Sequence, residues 1–218
     1  MHMQRLAKQF LTTQEQQRIT ECVQQAERKT SGEIVPMVVS SSHSYPLADI
    51  IGGCFIAFPS SLLAAHLTGP YFWVGPDNMW IFLSFLIIFY PLAHLLVRRT
   101  SWLKQRFLLP QRVNQEVETA ATAAFFTEQL YRTKAHNGVL LYISVFERRV
   151  CVLGDKGISD KIPQQSWQEI VQLVTNGIRQ KRQTDAICDA IVRIGEILKD
   201  HFPAEADDKN ELHNLIIR

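Results

Sequence analysis

The chain has 218 residues, 46% hydrophobic and 20% charged, with Lys+Arg 23 against Asp+Glu 21. These averages exclude a disordered chain, a collagen-like repeat and a disulfide-dense miniprotein, the last because the four cysteines fall at unrelated spacings. They also conceal a split: the 48 residues from Ile50 to Val97 carry one charged side chain, Asp77, so almost all charge lies in the other 170, enough for one domain.

In chain order, Thr12 or Thr13 can cap a helix, with Glu15 and Gln16 in reach of a capping box. Ile19, Cys22, Val23 and Ala26 then recur at helical spacing as far as Lys29. Thr30-Ser31-Gly32 stops that helix. Glu33 to Ser40 is rich in β-branched residues and reads as a strand, in which Pro36 predicts an irregularity or an edge. The polar loop Ser40–Ser44 is a site where an insertion is tolerated.

The insertion is the charge-poor block. Its runs at about 50–67 and 79–97 each approach the ~20 apolar residues that cross a bilayer core of about 30 Å, and predict a two-helix transmembrane hairpin over 48–97. Gly52, Gly53, Pro59, Ser60, Ser61 and His66 dilute the first run, and a hairpin buried in a soluble core is the competing reading. The short connection, Thr68 to Asn78, holds aromatic residues and no basic one, as an external loop would. Arg98, Arg99, Lys104, Arg106 and Arg112 then precede any acidic residue. By the positive-inside rule they put this end, and after two spans both termini, in the cytoplasm. Trp102, Leu103, Phe107 and Leu108 interleave with these bases, so 98–111 reads as a basic interfacial segment on anionic lipid. Met1 to Phe10 lack the apolar core of a secretory signal. The cysteines, Cys22, Cys54, Cys151 and Cys188, form no CxxC pair, a usage that fits reduced structural thiols better than disulfides or zinc. Asp49, His66 and His94 near the span ends could form an ion relay, but interfacial neutral histidines are the commoner case.

Beyond the basic stretch, Asn114 to Ala135 has a helical pattern closed by Asn137-Gly138 as a C-cap or turn. Strands follow at Val139–Phe146 and Arg149–Leu153 with Glu147-Arg148 as the turn between them, and Gly154-Asp155-Lys156-Gly157 reads as a loop. Helices at about Pro163–Arg182 and Thr184–His201 complete the domain, and 203–218 reads as a polar tail. The fold class is therefore α/β: a small mixed sheet flanked by helices, built from 10–46 and 112–202 as one split domain and interrupted by the transmembrane hairpin.

The runs Thr30-Ser31-Gly32-Glu33-Ile34-Val35-Pro36-Met37-Val38-Val39 and Asn137-Gly138-Val139-Leu140-Leu141-Tyr142-Ile143-Ser144-Val145, continuing through Glu147-Arg148-Arg149-Val150 to Gly154-Asp155-Lys156-Gly157-Ile158, resemble the TPM domain. That family includes a thylakoid-lumen protein associated with photosystem II repair and many bacterial membrane proteins, and the hairpin after the first strand resembles the bacterial membrane branch. The resemblance covers about 10–46 and 115–200. It implies a sheet flanked by helices, with phosphatase or calcium-binding chemistry on acidic residues at loop ends. Glu33 corresponds to the acidic residue opening strand one and Asp160 to the one after the Gly-rich loop. Gly-Asp-Lys-Gly stands here where many members have Gly-Tyr-Gly, so Asp155 has no firm counterpart.

Glu33, Glu147, Asp155 and Asp160 are the metal-ligand candidates, with Asn137 as a neutral ligand and Ca2+ or Mg2+ as the candidate ion. A hard cation needs about six oxygens, and Lys156 and Lys161 would compete for these carboxylates. Arg148, Arg149 and Lys156 could hold a phosphoryl group, yet the CxxxxxR loop, DxD motif and P-loop are all missing. His43 lies in Ser-Ser-His-Ser with no GxSxG partner. Once the five juxtamembrane bases are set aside, the chain beyond Val97 has 13 basic against 15 acidic residues, which speaks against nucleic acid. No catalytic residue is assigned. The expected protein is an integral protein of the bacterial inner membrane that acts as a binding or assembly module in membrane-protein maintenance, with the bilayer and other membrane proteins as partners. The alternative is a metal-dependent phosphatase-like enzyme.

Overall fold

The structure is a computed structural model and describes residues 6–72, 78–133, 136–204 and 213–218. Trp73 to Asp77 of the expected external loop, and Glu205, Asp207, Asp208, Lys209 and Glu211 of the expected tail, lie outside the described residues. In chain order the elements are α1 (Leu6–Phe10), α2 (Thr13–Glu27), β1 (Glu33–Val39), α3 (Pro46–Thr68), α4 (Met79–Arg99), α5 (Ser101–Gln105), α6 (Pro110–Thr127), β2 (Gly138–Ser144), β3 (Arg149–Gly154), α7 (Lys156–Ser159), α8 (Gln164–Arg179), α9 (Gln183–His201) and β4 (Ile216–Ile217). They fall into two compact units, Met1–His43 with Asn114–Arg218, and Ser44–Val113.

The first unit is a four-stranded mixed sheet in the order β3-β2-β1-β4, with β1 parallel to β2 and β4, and β2 antiparallel to β3. Alternation along the strands gives it two faces. Ile34, Val38, Val139, Leu141 and Ile143 point into a core with Ile19, Val23 and Ala26 of α2, Ile170 and Val174 of α8, and Ile187, Ile191, Ile194 and Leu198 of α9. Val35, Met37, Leu140 and Tyr142 are buried on the other face. There Arg149 Nε of β3 donates to Asn114 Oδ1 of α6 over 2.9 Å.

α2 starts as its sequence predicts. Thr12 is extended, its Oγ1 accepts from Glu15 N at 3.3 Å, and Glu15 Oε2 accepts from Thr12 N at 2.7 Å. The Thr12 amide, and after it the Thr184 and Thr12 hydroxyls, hold the Glu15 carboxyl below the usual range. Pro36 is also explained. Ser40 N donates to Arg218 O and Val38 O accepts from Arg218 N, so even-numbered residues of β1 face β4, whose pairing begins only at Met37. Pro36 thus turns its hydrogen-free nitrogen to the flank that β4 leaves open, where no ladder bond is lost.

Four expectations are corrected. Asn137-Gly138 does not cap α6, which ends at Thr127; a 3-10 turn at Leu130–Arg132 intervenes and Gly138 opens β2. Gly154-Asp155-Lys156-Gly157 is not a loop, because Asp155 caps α7 by accepting from Lys156 N at 2.7 Å. The C-terminal residues are not all polar tail, since Ile216–Ile217 pair with β1. Cys22 of α2 and Cys188 of α9 form a disulfide, which spacing could not reveal because 166 residues separate them.

α8 and α9 meet closely at a glycine. A Cβ on Gly177 would lie 2.1 Å from Ala186 Cβ, far inside van der Waals contact. Gly177→Ala should therefore destabilise the unit by about 1–3 kcal/mol even though alanine favours helix. Chemical denaturation checks this, and a variant at least as stable as the parent would refute it.

In the second unit α3 and α4, 23 and 21 residues long, are by length and composition apolar enough to cross a membrane. They pack through small residues: a Cβ on Gly53 would come within 3.2 Å of His94 Cα, and Ala57, Ser61 and Ala65 continue the buried stripe at intervals of four. Phe55, Phe58, Leu62 and Leu63 of α3, and Ile87, Ile88 and Leu92 of α4, are exposed. Asp49 is not available to an ion relay. Lys104 of α5, itself 2% exposed, places Nζ 2.9 Å from its carboxylate and donates to Ser44 O at 2.5 Å.

Candidate functional site

Because β1 and β2 run parallel, their carboxyl ends lie at one edge of the sheet, the usual side for sites on parallel strands. Ser40 to His43 leave β1 there, and Val145 to Arg148 turn β2 into β3. Glu147 is buried beneath them. Its Oε1 accepts from Ser42 N at 2.9 Å, Ser41 Oγ at 3.0 Å and His43 N at 3.4 Å, and its Oε2 accepts from Ser144 Oγ. Ser42 Oγ donates to Ser144 Oγ at 3.0 Å and lies 3.2 Å from Tyr142 Oη. The hydroxyls thus form a chain from Tyr142 through Ser42 and Ser144 to the carboxylate. His43 Nε2 is 4.0 Å from Glu116 Oε2.

This chemistry favours holding over reacting. Glu147 spends its lone pairs on two backbone amides and two hydroxyls, which ties the exit of β1 to the turn after β2. Burial raises the Tyr142 phenol, the Ser42 bond works against that rise and the Glu147 charge adds to it. Burial, helped by the Glu118 charge, pushes the Cys151 thiol opposite Tyr142 up to about 11. Both groups keep their protons at neutral pH, so neither is a ready nucleophile.

Glu33 and Asp155 lie at the other end of the sheet. Glu33 opens β1 and is buried, and its N donates to Asn137 O at 3.3 Å. Asp155 N donates to Gly138 O at 2.9 Å, its Oδ1 caps α7, and its Oδ2 is 3.1 Å from His136 Nδ1. Asn137 spends its amide on Ser31 O at 2.6 Å. Asp160 follows α7 as its C-cap. The seven residues of β2 separate Glu147 from Glu33 and Asp155, a span of roughly 20 Å at about 3.3 Å per residue. One cation cannot bridge all four carboxylates. Among the described residues no group of three or more His, Cys, Asp or Glu side chains is placed to hold a metal ion. Both carboxylate oxygens of Asp155 are already engaged, Oδ1 by Lys156 N and Oδ2 by His136 Nδ1. Sequence reasoning missed His136 and the Tyr142-Ser42-Ser144 chain. The alternation of β2, which puts Tyr142 and Ser144 on one face, was the available signal for the latter.

Residues 106–197 match the family model described as the TPM domain, a stretch running from the end of α5 through most of α9. The fold is similar to the NMR structure of BA42 protein from the psychrophilic bacteria Bizionia argentinensis sp. nov., with a TM-score of 0.59, 20% identity and 96% of each chain covered. At that identity the likeness is one of fold. No curated protein matches the sequence.

Proposed function

On the premise that residues 106–197 are a TPM domain, we propose that the protein is a membrane-tethered binding and assembly module of the bacterial inner membrane, serving the maintenance of other membrane proteins. The observation that carries this reading is the interruption itself. The unit that holds α1, α2 and β1 before the interruption is completed by β2 to β4 after it, and two long apolar helices with exposed hydrophobic faces are spliced between them. Such an arrangement tethers a domain by its middle and returns the chain to the side it left. Arg98, Arg99, Arg106 and Arg112 are exposed after the second span, which supports a cytoplasmic domain with the bilayer's anionic lipid as neighbour. Lys104 is spent on Asp49, so the topological charge is four arginines. The hydrogen bonds of Glu147 tie the exit of β1 to the turn after β2, a structural use of this carboxylate that supports a non-catalytic reading.

Cross-linking of the full chain in its own membranes, with calorimetric titration of the detergent-purified protein by Ca2+ and Mg2+ and a phosphate-release assay, tests the reading. Expected are recurrent adducts with integral membrane proteins and no metal-dependent turnover. Metal-dependent phosphate release that Asp160→Ala abolishes would replace the module with an enzyme. A reporter fused after Arg218 that is active only outside the cytoplasm would reverse the orientation.

A further inference from the structure

We propose that Cys22 and Cys188 are a reversible redox staple that locks the discontinuous unit shut across its insertion. The pair joins α2, which precedes the hairpin, to α9, which follows it, with Cα atoms 5.7 Å apart and 166 residues between them. Neither half of the unit holds both sulfurs, so the bond forms only after α2 has docked on α9. It is a covalent record of completed assembly, and it stands whichever side of a membrane the unit faces.

The docking that brings the sulfurs together does not need the bond. A Cβ on Gly195 of α9 would lie 3.0 Å from Ala26 Cβ of α2, so the helices approach closely over a core of Ile19, Val23, Ile187 and Ile191. Thr184 Oγ1 donates to Glu15 Oε1 at 2.7 Å, and Arg18 pairs with Asp185 at 2.9 Å. Cys188 Sγ is 3.9 Å from Arg18 O, an acceptor for its S–H when the pair is reduced. These contacts between α2 and α9 lie outside the bond itself and hold the helices together when it opens.

Exposure makes the chemistry directional, for Cys188 is 7% exposed and Cys22 is half-buried at the rim. To close the staple, the Cys22 thiolate attacks a sulfur of an external disulfide, either glutathione disulfide or a thioredoxin-fold protein, and displaces one external thiolate. Cys188 then loses its proton, attacks Cys22 Sγ and expels the second. Two protein thiols are oxidised and one external disulfide is reduced to two thiols. To open it, an external thiolate attacks Cys22 Sγ, and Cys188 leaves and takes up a proton. A second external thiolate then attacks the external sulfur of that mixed disulfide and frees Cys22, so that two external thiols are oxidised to one disulfide. Cys54 and Cys151 are the free cysteines, and Cys151, a thiol of raised pKa, does not compete.

The full chain in mild detergent, equilibrated with glutathione disulfide or with dithiothreitol, acid-quenched, denatured and labelled with a polymer maleimide, tests this directly. The oxidised sample should take two labels and the reduced sample four, and unreduced tryptic maps should show the Cys22 and Cys188 peptides joined. The oxidised protein should melt roughly 10 °C above the reduced one, a difference that Cys22→Ser abolishes. Four labels on correctly folded protein after glutathione disulfide would overturn the staple. A bond that dithiothreitol cannot open without unfolding the protein would overturn its reversibility. Both readouts use the parent chain, so they stand even if the serine variant fails to fold.

Discussion

Lys104→Ala should cost the second unit about 3–5 kcal/mol, the range for a buried ion pair that loses one member. Lys104 is 2% exposed and its Nζ serves both the Asp49 carboxylate at 2.9 Å and Ser44 O at 2.5 Å. The substitution leaves Asp49, itself 7% exposed, charged and without its cation in the first turn of α3. Asp49→Asn should be milder, since an amide still offers Lys104 an oxygen. The double variant Asp49→Leu/Lys104→Met should recover most of the loss, because a hydrophobic pair of similar volume carries no desolvation cost. Thermal unfolding in detergent, followed through the helical signal, measures each variant, and the double Asp49→Asn/Lys104→Ala closes the cycle with the two single variants. Additive single and double losses would mean that the two charges do not depend on each other.

Glu147→Ala should cost about 2–4 kcal/mol and loosen the exit of β1. The alanine removes the acceptor for Ser42 N, His43 N, Ser41 Oγ and Ser144 Oγ. The Ser144 bond is buried and the other three half-buried, Ser41 Oγ keeps His43 O, and each donor that water does not reach carries a desolvation penalty of about 1–3 kcal/mol. Glu147→Gln keeps one oxygen for the two amides, and Ser144 can rotate to accept from the new NH2, so its loss should be nearer 1 kcal/mol. Urea unfolding gives the energies, and hydrogen exchange at Ser42 and His43 localises them. Both amides should exchange at least tenfold faster in the alanine variant. Unchanged protection at those two positions with full loss of stability would show that Glu147 acts elsewhere.

Both results concern interactions that a reading of the sequence had no means to pair. In sequence Glu147 and Asp155 look alike, as acidic residues at strand ends, and fall into one prospective metal set with Glu33 and Asp160. The antiparallel turn of β2 into β3 sends them to opposite ends of the sheet. Asp155 was legible as a polar punctuation mark, yet whether it ends a strand in a loop or starts a helix depends on the four residues after it packing Ile158 into the core. Lys104 reads as one of five bases after the second apolar run because sequence records charge and not burial. The Thr12–Glu15 cap and the open flank at Pro36 were legible, since each rests on the stereochemistry of a few adjacent residues.

Local pattern alone therefore dictated the long apolar block, the helices and strands on either side of it, the turn at Glu147-Arg148 and the mixed α/β class, because side-chain periodicity and capping act within four or five residues. Docking alone decided that Asp49 neutralises Lys104, that Cys22 meets Cys188, that Ile216–Ile217 complete the sheet, and that the four carboxylates divide between its two ends. Those partnerships span 55 to 179 residues, or join strand ends whose direction is set only when the sheet closes. Charge, thiol and carboxylate are visible in one dimension, and their partners exist only in three.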